Sequence, residues 1–162
     1  MAIIAYTDGS CLGNPGSGGF ASILLDTERK IKKEISGGFR LTTNNRMELL
    51  AVIVALENLK QIPTEITIYS DSKYVCDAVE KKWVFNWEKK GFKGKKNEDL
   101  WRKFLIQYRK HKVSFQWVKG HAGNKLNERA DELAVAAANS PNLKIDVEFE
   151  TNDENSDLFS DI

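Results

Sequence analysis

The sequence predicts an α/β fold on a mixed five-stranded sheet, with the first three strands in an antiparallel meander and helices flanking the whole. Three observations carry that reading. The chain opens with three apolar runs, 3–6, 18–26 and 30–38, separated by glycine-rich or polar turns. A continuous apolar segment of helical length, 44–59, follows them. Beyond it, strand-like segments at 65–69 and 113–118 alternate with helix-like ones, the pattern of a sheet covered by helices.

Ile3, Ile4, Ala5 and Tyr6 are short, apolar and closed by Gly9, Gly13, Asn14, Pro15 and Gly16, which reads as a strand running into a turn. Asp8 therefore stands at the end of that strand or just past it. Thr27 to Arg29 forms the polar turn between the second and third strands. Thr42 and Thr43 offer capping hydroxyls to the 44–59 helix, and Ile62-Pro63 breaks the pattern after it. Residues 65–69 alternate Ile66 and Ile68 with polar neighbours, and Ser70 or Ser72 can cap a short helix reaching Val79. Helical spacing resumes over 97–110 through Leu100, Trp101, Phe104, Leu105 and Tyr108. A strand at 113–118, a glycine-flanked loop at 119–124 and a last helix over 127–139, ended by Pro141, complete the pattern.

At 162 residues and 41% hydrophobic composition, the chain fits one domain with a sizeable core. The amino-terminal residues lack the features of a signal peptide, and no apolar run approaches membrane-spanning length, so a cytoplasmic protein is expected; a monomer is expected as well. Cys11 and Cys76 lie in no zinc or disulfide pattern. The net charge of +1 hides an asymmetry: residues 144–162 hold one lysine against seven acids, leaving 23 basic against 16 acidic residues, or +7, in 1–143. A basic body points to a polyanionic partner. The basic charge is densest in 81–96, where seven lysines stand against one glutamate with Trp83, Trp87 and Phe92 among them.

Four acids occupy unusual local positions. Taken singly, Asp8 also fits a turn-capping residue, Asp71 a helix N-cap, and Asp131 an acid placed for the helix dipole. Glu48 lies within MELLAVIVAL, where an isolated ionised carboxylate would be costly. If the first and fourth strands are neighbours and both long helices pack on the sheet, the four converge. Four carboxylates in one pocket repel one another unless divalent cations balance them, and carboxylate ligands suit Mg²⁺ or Mn²⁺. A paired-metal phosphodiester hydrolase follows as the expectation.

The ordered motifs TDGSCLGNPG (7–16), TTNNRMEL (42–49), SDSKYV (70–75), WVFNWEKKG (83–91), NEDLW (97–101) and WVKGHAGNKLNERADELA (117–134) resemble those of bacterial type 1 ribonuclease H over about residues 2–142. The resemblance implies a ribonuclease H-like fold and an endonuclease that cuts the RNA strand of RNA–DNA hybrids irrespective of sequence. It implies that Asp8, Glu48, Asp71 and Asp131 hold two Mg²⁺ ions, replaceable by Mn²⁺, with His121 on a loop beside them, and that cleavage leaves 5′-phosphate and 3′-hydroxyl ends. Asn14, Asn44 and Asn45 resemble residues that address RNA 2′-hydroxyls, and amides suit this because they both donate and accept. Thr43 and Asn97 resemble part of a DNA-phosphate pocket, although Leu41 stands where the family often has arginine, so that either Arg40 or nothing completes it. Trp83 and Trp87, with Lys89, Lys90, Lys93, Lys95 and Lys96, resemble a basic protrusion that grips the DNA strand; packing in the core is the alternative for Trp83.

The resemblance stops near residue 142, which divides the chain into a ribonuclease H domain, 1–142, and an acidic tail, 143–162, expected to be partly extended or disordered. Leu143, Ile145, Val147 and Phe149 alternate with charged residues as in a strand. Asp157, Leu158 and Phe159 resemble the end of a peptide that docks bacterial replication proteins into the sliding clamp.

Overall fold

The computed structural model describes residues 3–120 and 123–151. Five strands, β1 (Ile3–Cys11), β2 (Gly16–Asp26), β3 (Ile31–Thr42), β4 (Glu65–Ser70) and β5 (Lys112–Trp117), form one sheet in the order β3-β2-β1-β4-β5. The β3-β2-β1 meander is antiparallel, while β1–β4 and β4–β5 are parallel. The predicted sheet is the observed one, and the first and fourth strands are neighbours at its centre.

Side chains alternate across the sheet. Ala5, Leu24, Ile66 and Ile68 point to the face covered by α1 (Asn44–Glu57), whose Leu49, Val52, Ile53 and Leu56 pack there with Trp101 and Phe104 of α4 (Glu98–Tyr108). Tyr6 and Ile23 point to the other face, against Ala130 of α5 (Lys125–Ala138), with Tyr6 stacked on Tyr69 at 4.8 Å. A Cβ on Gly19 or Gly38 would run into the α5 backbone, so those two glycines let the helix lie directly on the sheet. Two shorter helices, α2 (Lys73–Glu80) and α3 (Trp83–Lys89), lead from β4 to the basic segment.

Three elements depart from the sequence-based expectation. Rather than ending near Tyr6, β1 continues through Asp8 to Cys11, because β2 begins early enough to pair with it: Asp8 faces Ala21 and Cys11 faces Gly18. Of the turn signals in 9–16, only 12–15 form the tip of the longer hairpin; Gly9 lies within β1 and Gly16 opens β2. Helix α3 was not anticipated, since it spans 7 residues and starts after Lys82 with no side-chain cap. Finally, the alternating stretch 143–150 does not form a strand. Lys144 makes one parallel bridge to Phe39, and Val147–Thr151 then form a short helix, α6, whose turn begins where the Asp146 carboxylate accepts from the Phe149 N–H.

Candidate active site

The register of the sheet builds the site. β4 ends opposite β1 at the pair Thr7 and Ser70, so the next residues on each strand, Asp8 and Asp71, come side by side at the end of the parallel pairing. Glu48 reaches them from the first turns of α1, which lies close against β1 because Gly9 has no side chain: a Cβ there would meet the Met47–Glu48 backbone. Each of Asp8, Glu48 and Asp71 offers an oxygen within 4.8 Å of the other two. Asp131, on α5 at the opposite face, lies near enough to Asp8 for its charge to help raise the Asp8 carboxyl. The structure thus brings Asp8, Glu48 and Asp71 within reach of one ion, with Asp131 beside Asp8 but outside that group.

Their electrostatics are those of negative charge without a counterion. Burial first, then the charge of Asp71, pushes the Asp8 carboxyl up to about 8, and burial with the charges of Asp8 and Asp71 raises Glu48 well above the carboxylate range. Asp8 and Glu48 are only 3% and 4% exposed, and Glu48 Oε2 is buried with no hydrogen-bond partner. An orphaned buried oxygen among crowded carboxylates fits a divalent cation, and an all-oxygen donor set fits a hard one.

Asp71 is supported from its own strand's neighbour: the Trp117 indole N–H, at the end of β5, donates to its main-chain oxygen at 3.1 Å. The 119–120 segment passes so near that a Cβ on Gly120 would lie 3.1 Å from Asp71 Oδ2. His121, the expected proton-transfer residue, follows immediately and lies outside the described residues, as do Asp157, Leu158 and Phe159.

The candidate nucleic-acid residues form two adjoining surfaces. Asn14, Thr43, Asn45, Lys95, Lys96 and Asn97 line a cleft of about 840 Å³ at the start of α1. Thr43 caps α1 by accepting from the Arg46 N–H, and the Asn14 side chain accepts from the Asn44 N–H at 3.2 Å. Trp83, Trp87, Lys90, Lys93 and Lys95 line a second depression of about 350 Å³, with Lys95 over the Trp87 ring and Lys81 over the Trp83 ring. Trp83 is 44% exposed rather than a core residue. Trp87 packs its edge on Trp101 and is half buried, and Lys89 is exposed with the other lysines.

Arg40 does not enter the cleft. Its guanidinium is held by both oxygens of Glu150 on α6, with contacts of 2.9 Å and 2.7 Å. Two other arginines, Arg46 and Arg102, line the cleft; Arg46 is 4% exposed and gripped by Asp99 at 2.9 and 2.7 Å and by Asp146 at 2.8 and 2.9 Å. Nothing local in the sequence signals these partners, because Asp99 and Asp146 lie 53 and 100 positions from Arg46.

The RNase H family model matches residues 1–139. The chain belongs to the ribonuclease H family. Among curated relatives, the ribonuclease H of Rippkaea orientalis is 49% identical over 153 residues, covering 91% of this chain and 92% of the relative. The ribonuclease HI of Synechocystis sp. is 46% identical over 148 residues, covering 88% and 91%. Among solved structures, LC9-RNase H1, a type 1 RNase H with the type 2 active-site motif, superposes with a TM-score of 0.75 at 29% identity, over 96% of this chain and 83% of its own. LC11-RNase H1 in complex with an RNA/DNA hybrid superposes with a TM-score of 0.64 at 28% identity, over 85% and 96%. The family is divalent-metal dependent, and the acidic cluster described above is where this member could hold metal. No helix among the described residues is long and apolar enough to cross a membrane.

Proposed function

We propose that this protein is a cytoplasmic, monomeric endonuclease that hydrolyses the RNA strand of RNA–DNA hybrids, without sequence preference, at the cluster of Asp8, Glu48, Asp71 and Asp131. The observation that carries the reading is the uncompensated cluster of buried carboxylates, with its orphaned Glu48 oxygen, beside a cleft and a lysine-rich depression of opposite charge. The hybrid bound by LC11-RNase H1 supports the same substrate here.

The four acids would hold two Mg²⁺ ions, with Mn²⁺ able to replace them; when bound, such a pair activates water and stabilises the charge of the displacement, leaving 5′-phosphate and 3′-hydroxyl ends. The protein's own contributions follow from its geometry. Rigid seating of Asp8 in the middle of β1 and of Glu48 against Gly9 fixes the donor oxygens before substrate arrives. Asn14, Asn44 and Asn45 at the mouth of α1 can both donate to and accept from 2′-hydroxyls, which DNA lacks. Thr43 and Asn97 take a phosphate of the DNA strand, while Trp83, Trp87 and Lys89, Lys90, Lys93, Lys95 and Lys96 hold that strand by ring surface and charge. His121, which follows Gly120 in the sequence, moves a proton or aids product departure.

A cleavage assay tests this reading. Labelled RNA–DNA hybrid should be cut in Mg²⁺ and left intact in EDTA, while duplex RNA, duplex DNA and single strands survive both conditions. Cleavage of duplex DNA at a comparable rate, or of hybrid in EDTA, would contradict it.

A further inference from the structure

We infer that Asp146, beyond the residues matched by the family model, is a positioning residue for phosphate binding that acts through Arg46 on Asn97. The inference rests on the hybrid-binding reading above.

Asn97 sits in the left-handed region at φ 65°, immediately before α4, and makes no capping bond to its own helix. Its amide is tied elsewhere. Oδ1 accepts from Arg46 Nη1 at 3.3 Å, and Nδ2 donates to the Tyr74 hydroxyl at 3.1 Å. A primary amide has two N–H groups, so one remains for a ligand in the cleft, and its direction is set by these two bonds. Tyr74 is itself fixed by the Trp101 indole N–H at 2.9 Å. The other bond is as firm as the guanidinium that makes it.

Arg46 is firm because five hydrogen bonds occupy it. Asp99 takes Nη1 and Nη2, Asp146 takes Nε and Nη2, and Asn97 shares Nη1. Asp146 is in turn held by the Thr42 hydroxyl at 2.7 Å, and Phe149 lies 5.9 Å from the guanidinium carbon. Without Asp146 the Nε–H has no acceptor among these groups, and the fork can turn on the Asp99 side alone. Because Asp99 accepts through both of its oxygens, that turn carries Nη1 away from Asn97. The carboxylate is delivered by the chain after α5: Lys144 bridges to Phe39, its carbonyl accepts from the Arg40 N–H at 2.8 Å, and α6 continues along the cleft, where Glu148 and Phe149 form part of the wall. A segment outside the family match thus orients a phosphate donor inside it.

The test is a double-mutant cycle read by hybrid binding in EDTA, where cleavage cannot intervene, and by steady-state cleavage in Mg²⁺. Asp146→Asn is expected to weaken binding about tenfold, the scale of one charge-assisted hydrogen bond, and to raise KM by a similar factor with kcat within twofold. Asn97→Ala should weaken binding by the same amount. On the Asn97→Ala background, Asp146→Asn should add less than twofold. If Asp146→Asn does not fold, Thr42→Val carries the test, since it removes the hydroxyl that holds Asp146 and leaves every charge in place; a smaller loss, absent on the Asn97→Ala background, is then expected. Unchanged binding in Asp146→Asn, or losses that multiply in the double variant, would overturn the inference alone. Failure of the unaltered chain to bind hybrid would overturn both this and the function reading.

Discussion

Two buried clusters of charge stand on the first two turns of α1, two residues apart, and chemistry treats them in opposite ways. Around Arg46, one guanidinium meets two carboxylates, with an added hydroxyl and amide, and its N–H groups find acceptors. Around Glu48, carboxylates crowd one another with no cation among the described residues, and one oxygen has no partner. A buried charge cluster that is satisfied from within is part of the architecture. One that is left unsatisfied is a place for something that is not protein. The difference separates structure from site without reference to any relative.

The comparison breaks most visibly at Asp8. Asp8→Asn removes a donor of the unsatisfied cluster with little change in volume, so hybrid cleavage in Mg²⁺ should fall by about 10³-fold or more, the several kcal/mol a metal ion supplies, while hybrid binding persists. Gel assays of cleavage and anisotropy of binding check both halves. The reverse pattern is expected in the satisfied cluster: Arg46→Ala leaves the buried Asp146 and half-buried Asp99 carboxylates without their counter-charge and should cost about 3–5 kcal/mol of stability in urea unfolding.

A third prediction sharpens the contrast through pH. Burial and like charge raise Asp8 to about 8 and Glu48 well above its ordinary value in the metal-free protein. The folded state therefore binds more protons than the unfolded state between the ordinary carboxylate range and about pH 8. Stability in EDTA should fall as pH rises across that interval, by roughly 5 kcal/mol at about 1.4 kcal/mol for each pH unit between the ordinary and raised values of Asp8, and Mg²⁺ should restore it at the upper end. Thermal melts between pH 4.5 and 8.5 with and without Mg²⁺ measure this. The smallest effect belongs to the exposed surface: alanine at Lys89, Lys90, Lys93, Lys95 and Lys96 should raise KM and flatten the dependence of log affinity on log salt by up to about 0.9 for each phosphate no longer neutralised, leaving kcat near its starting value.

How much of this was legible in the sequence differs between the two clusters for a physical reason. Glu48 announces itself locally, because a carboxylate inside MELLAVIVAL is out of place where it stands; Asp8, Asp71 and Asp131 taken singly also fit caps or a dipole partner, and it is the meander plus a parallel fourth strand that brings Asp8 beside Asp71. The Arg46 cluster has no such local sign. Its partners come from α4 and from the chain after α5, and only the fold places them together. The same limit explains β1. Gly9 and Gly13 punctuate the sequence as turn residues, yet Gly9 stays in the strand because its missing side chain is what admits α1. The alternation of 143–150 was misleading, since pairing needs a partner strand, and β3 accepts only Lys144 before Asp146 turns inward to Arg46.

The central claim is that the Glu48 cluster awaits a divalent cation whereas the Arg46 cluster is complete, and one set of melts at pH 8 addresses it directly. The unaltered protein and Glu48→Gln are melted in EDTA and again in millimolar Mg²⁺. The account predicts that Glu48→Gln is the more stable of the two in EDTA, because it relieves buried like charge, and that Mg²⁺ raises the midpoint of the unaltered protein by several degrees and that of the variant far less. Equal midpoints in EDTA, with the same response to Mg²⁺ in both, would contradict it.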